Sequence, residues 1–82
     1  MMDPKLRQQK LKMWKEKLKQ LEEELKGIYD KKEEAAKDGD LRENAAYQMA
    51  VEDAETWRVR IIEIKKIIAD LEKEDKGSKR TH

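Results

Sequence analysis

The chain has 82 residues, of which 20 are Lys or Arg and 19 are Asp or Glu, so 48% of it is charged, 37% is hydrophobic and only 5% is aromatic. That many charged side chains stay in water, which excludes a rounded core in so short a unit and favours an elongated helical form. The absence of cysteine excludes disulfides and thiolate metal sites, and the lack of an apolar run near the roughly 18 residues of a membrane span, or of an apolar signal segment, reads as a soluble, cytoplasmic protein with no membrane partner.

Asp3 followed by Pro4 predicts a helix start, because Asp accepts bonds from first-turn amides and Pro has no amide to leave unpaired. From there Leu11, Trp14, Leu18, Leu21, Leu25, Ile28, Lys32 and Ala35 follow at spacings of 3 and 4, the seam of a coiled-coil helix, predicted over residues 4–37. At about 1.5 Å per residue this helix is roughly 50 Å long. Asp38-Gly39-Asp40 supplies the break, with Gly39 in a left-handed conformation and Asp40 capping the next helix.

The second helix, predicted over residues 41–71, repeats the pattern with Glu43, Tyr47, Ala50, Ala54, Trp57, Ile61, Ile64, Ile68 and Leu71. Antiparallel pairing across the bend matches Ala35 with Glu43, Lys32 with Tyr47, Ile28 with Ala50, Leu21 with Trp57 and Leu11 with Ile68 in one continuous register. The fold class is therefore all-α, an antiparallel two-helix coiled-coil hairpin with an acidic tip. Val51, Val59, Ile62 and Ile67 lie off the seam, either as flanking cover or as a stripe for docking or weak self-association. Residues 72–82 contain no apolar side chain after Leu71 and read as a charged, flexible tail, in which the single histidine, His82, has no assigned role.

The net charge of +1 conceals a segregation along the chain. Residues 1–20 carry seven basic and two acidic groups, residues 21–55 carry five and twelve, and residues 56–82 carry eight and five. Folded as a hairpin, the chain has a basic base and an acidic tip, a charge dipole suited to steering insertion into a partner.

No nucleophile-and-base set, Gly-rich phosphate loop or His/Cys metal spacing is present, so the chain is not expected to be an enzyme by itself. The chemistry-bearing segment is the bend, Asp38-Gly39-Asp40-Leu41-Arg42-Glu43-Asn44. Asp40 and Glu43 match a capping box, in which each side chain bonds the other's amide. The alternative is that both carboxylates, at a thin protruding tip, share a hard cation such as Mg²⁺ with a site half built in a partner.

The run Gly39-Asp40-Leu41-Arg42-Glu43-Asn44-Ala45-Ala46-Tyr47 resembles the G-D-L-[S/K]-E-N-A-E-Y tip signature of the bacterial Gre transcript-cleavage factors, and the seams on both sides, including Leu18, Leu21 and Arg60-Ile61-Ile62-Glu63-Ile64, match as well. The resemblance implies a hairpin that enters the secondary channel of bacterial RNA polymerase, where the two tip acids help hold a catalytic Mg²⁺ and orient water, so that the polymerase cuts a backtracked RNA at its 3′ end. It carries the paired-acid role onto Asp40 and Glu43, with Gly39, Leu41, Asn44 and Tyr47 as tip support. Ala46 stands where the pattern has Glu, Met49 where it has Ala, Val51 where a basic residue is common, and Ala36 where a basic residue precedes the tip. Lys37 and Arg42 are the neighbouring cations that can contact RNA phosphate in its stead, their other reading being solvated helix-end charge. Gre factors continue into a C-terminal globular domain, whereas the resemblance here ends near residue 72. Two other functions are compatible with the same hairpin: a competitor that occupies the channel without promoting cleavage, and a plain coiled-coil interaction module.

Overall fold

The computed structural model describes residues 3–77, with side chains described through Lys73. Two long helices, α1 (Pro4–Ala36) and α2 (Ala45–Gly77), are joined by a bend that contains one 3₁₀ turn, Leu41–Glu43. They fold back on each other into a rod of 61 × 22 × 12 Å. No strand occurs among the described residues.

The start of α1 follows the expected chemistry. Asp3 is its N-cap, its Oδ1 accepting the Lys5 amide at 3.1 Å, and Pro4 takes the first helical position. The helix ends at Ala36, one residue before the expected end, where the Lys37 amide turns back to the Glu34 carbonyl at 3.3 Å and the Asp38 amide to that of Ala35 at 3.1 Å. Gly39 then adopts φ +110° and reverses the chain. A Cβ there meets nothing within 4 Å, so the cost of Gly39→Ala is that of the backbone alone: about 1 kcal/mol, measured by urea unfolding.

The two seams meet as their spacing predicts. Leu21, Ile61, Ile64 and Ile68 form the buried cluster, with Leu11, Trp14, Leu18, Leu25 and Trp57 packed against it. Toward the tip the seam narrows to Ala35, Ala50 and Ala54, each buried because small side chains let the helices approach closely. Lys32 remains in the seam by laying its ammonium over the Tyr47 ring, 5.9 Å from the centroid, so its stem covers apolar surface while its charge reaches water.

Trp57 sits at the edge of the cluster, where its indole Nε1 donates to Glu24 Oε1 of α1 at 3.0 Å and the Arg60 guanidinium lies 4.8 Å from its ring. Trp57→Phe keeps most of the apolar contact and removes the cross-helix bond. The expected loss is about 1 kcal/mol in thermal unfolding.

Three expectations need correction. Helix 2 begins at Ala45, not at residue 41, since the chain makes a separate 3₁₀ turn before Asn44 starts the helix. Glu43 consequently leaves the seam and is exposed, and Asn44 takes the place opposite Ala35. The helix also continues past residue 71 to Gly77, because helix-forming Glu and Lys residues propagate it beyond the last apolar contact. At that end Glu72 pairs with Lys15 of α1 at 3.3 Å. The rest of the anticipated flexible tail, including His82, lies outside the described residues.

Of the off-seam apolar residues, Val51 and Ile67 are half-buried flanking cover, whereas Val59 and Ile62 are 51% and 65% exposed. No helix among the described residues is long and apolar enough to cross a membrane.

Candidate functional site at the tip

The bend is held by short-range bonds that follow from its residue types. Asp40, in extended backbone, accepts the Arg42 amide on Oδ1 at 3.0 Å, and the Glu43 amide donates to the Asp40 carbonyl at 3.2 Å, closing one turn between the two acids. This is not the reciprocal capping box expected of Asp40 and Glu43. The cap of α2 is Asn44, whose Oδ1 accepts the Tyr47 amide at 3.1 Å while its carbonyl accepts the Gln48 amide at 3.1 Å.

Asn44 also reaches across the hairpin. Its Nδ2 donates to the Ala35 carbonyl at 2.7 Å, one of the last carbonyls of α1, so a single half-buried side chain closes the end of one helix and the start of the other. Gln48 adds a further tie, its Nε2 donating to the Arg42 carbonyl at 3.0 Å. Sequence reading placed Asn44 only among the supports and missed Gln48. The signal for Asn44 was present, since Asn is among the best N-cap residues, but Asp40 is an equally good candidate four residues earlier.

This division of labour leaves the carboxylates of Asp40 and Glu43 outward at the end of the rod. The Asp40 side chain is 59% exposed, with its Oδ1 engaged by the Arg42 amide. Glu43 is exposed and its carboxylate has no hydrogen-bond or ion-pair partner among the described residues. Arg42 is 94% exposed, its Nε 4.0 Å from Asp40 Oδ1, a distance and exposure at which a pair contributes little. Lys37, the C-cap of α1, is exposed on the same end.

Among the described residues no three acidic or histidine side chains stand close enough to hold a metal ion. The donor set fits Mg²⁺ only as a contribution of one or two carboxylates to a shared site, which is the number Mg²⁺ commonly takes from protein.

Two depressions flank the tip. One of about 360 Å³ is lined by Leu41, Arg42, Tyr47 and Val51, bringing together two of the expected support residues. The other, about 450 Å³, is floored by Ala35 and Ala50 and edged by Ala46, Met49 and Asp53. Ala46 and Met49, two of the departures from the Gre pattern, therefore share one groove.

No curated protein and no solved structure matches the chain significantly. The family model described as transcription elongation factor, N-terminal (GreA_GreB_N), matches residues 5–72, which takes in both seams and the tip. The chain thus belongs to the GreA/GreB N-terminal domain family of transcription elongation factors.

Proposed function

We propose that this hairpin inserts its tip into the secondary channel of bacterial RNA polymerase and stimulates the polymerase's own cleavage of backtracked RNA, with Asp40 and Glu43 as the acting groups. The observation that carries the reading is the capping by Asn44: α2 is started without the tip acids, so their charge stands at the leading end of a rod 22 Å by 12 Å across. Family membership supports the transcriptional setting.

Asp40, through Oδ2, and Glu43 would hold Mg²⁺ jointly with acidic groups of the polymerase. Bound there, the ion supplies a polarised water and neutralises charge developing on phosphate. The chain's own contribution is placement and charge. The Gly39 reversal and the 3₁₀ turn present both acids at one end, and the Asn44 bridge to Ala35 keeps that end closed. Lys37 and Arg42 flank the acids and can contact the phosphates of the RNA 3′ end. The hydrolysis belongs to the polymerase, which makes the chain a stimulating factor in place of an enzyme.

The test is a transcript-cleavage assay on stalled, backtracked bacterial polymerase with Mg²⁺, run over increasing concentrations of the hairpin. Shortened RNA in proportion to added protein is expected. Displacement of another channel-binding factor without any cleavage overturns the cleavage role and leaves a competitor, and neither effect at saturating protein overturns the reading entirely.

A further inference from the structure

α2 presents two stripes, one against α1 and one to solvent. On the solvent side Glu52, Glu55, Val59, Ile62, Lys66 and Ala69 follow at alternating spacings of 3 and 4, extended at the ends by Gln48 and Lys73, and every one of them is exposed. This is the spacing of a second coiled-coil seam. Its chemistry is graded along the rod: acidic toward the tip, apolar at the centre, basic toward the base. Glu52, Glu55, Lys66 and Lys73 form no ion pair among the described residues.

We infer that this stripe binds a second copy of the same chain, antiparallel, in an isologous dimer whose two-fold axis passes between Val59 and Ile62. The middle of α2, residue 61, lies between these two positions. An axis there sets Val59 against Ile62 of the second copy, Glu55 against Lys66, and Gln48 against Lys73, each contact occurring twice by symmetry. A parallel pair sets Glu against Glu and Lys against Lys, so the gradient is self-complementary in one direction only.

The whole rods agree with the stripe. Antiparallel alignment brings the base of each copy, basic over residues 3–20, to the same end as the acidic residues 21–55 of the other. The stripe runs along the narrow edge of a rod 61 × 22 × 12 Å in extent, so the contact is at or below the roughly 800 Å² per partner of an ordinary specific interface. With only two apolar side chains per copy at its centre, the dimer is weak, with a dissociation constant on the order of 100 μM.

Sedimentation of the full chain from about 5 μM to about 1 mM is expected to show a reversible monomer–dimer equilibrium that shifts toward monomer in about 0.5 M salt. Ile62→Glu should abolish the dimer, and because Ile62 is 65% exposed the helix content by circular dichroism should not change. Glu55→Lys and Lys66→Glu, each alone, should weaken self-association about tenfold or more, as two symmetry-related attractions become repulsions. Mixing these two single variants should restore association as a heterodimer, since opposite charges then meet at both contacts. A monomer throughout the concentration range, a dimer that tolerates Ile62→Glu, or two charge variants that associate no better mixed than apart overturns the inference.

Discussion

Replacing Asp40 with Asn and Glu43 with Gln together is expected to lower stimulation of RNA cleavage by about 100-fold or more, the scale of losing charged groups that act on a reacting phosphate, while leaving thermal stability within about 0.5 kcal/mol of the starting protein. The choice of amides follows from the bend. Asn accepts an amide bond at a cap as well as Asp does, so Asp40→Asn keeps the bond from the Arg42 amide and removes only the charge. Glu43 uses its backbone, not its carboxylate, in closing the turn, so Glu43→Gln disturbs no bond among the described residues. A parallel unfolding curve therefore separates loss of chemistry from loss of shape. Unreduced cleavage with the double variant would show that the tip acids are not the acting groups. Reduced cleavage together with a comparable loss of stability would reassign them to structure.

The second large effect falls on Asn44, and it is one of stability. Asn44→Ala removes the cap bond to the Tyr47 amide and the 2.7 Å bond to the Ala35 carbonyl at once. A lost cap costs about 1 kcal/mol. The cross-hairpin bond, half-buried, adds about as much, for a total near 2 kcal/mol and a melting temperature lower by roughly 10 °C in a domain of this size. Asn44→Asp discriminates the two halves: the carboxylate still accepts the Tyr47 amide but has no proton to give Ala35 and adds charge to an acidic tip. It should lose about half as much as Asn44→Ala. Equal losses for both variants would place the whole effect in the bridge to Ala35, and no loss for either would mean that the bend is held by Gly39 and the seam alone. Since the same bridge keeps the end of the rod closed, Asn44→Ala should also reduce any cleavage stimulation at temperatures well below its melting point.

How far the sequence could be read varies from residue to residue. Every seam position of α1 from Leu11 to Ala35, and of α2 from Tyr47 to Leu71, is buried or half-buried in the hairpin, and the Lys32–Tyr47 pair falls in the expected register. Periodicity of apolar residues is a local property of the chain, written once per half-heptad and repeated eight times, so a single misfit does not blur it. Val59 and Ile62 were equally visible as off-seam residues, yet their exposure was not, because Val51 and Ile67 look the same in sequence and are half-covered.

The bend was harder to read for a physical reason. Asp40 and Asn44 are both competent caps, and the sequence alone offers no energy difference to choose between them. The choice is made by a contact 9 positions away in the chain: once α1 and α2 are packed, the Ala35 carbonyl, which already accepts the Asp38 amide, also lies 2.7 Å from the side-chain amide of Asn44. Asp cannot make that bond, having no donor when ionised. The family and the all-α hairpin, its register and its acidic end were thus determined by the sequence itself, through spacing and a short specific motif. Where helix 2 begins, and hence that Asp40 and Glu43 stand outward at the tip with neither carboxylate capping α2, was decided only by tertiary structure, because the deciding hydrogen bond runs from the start of α2 back to the end of α1.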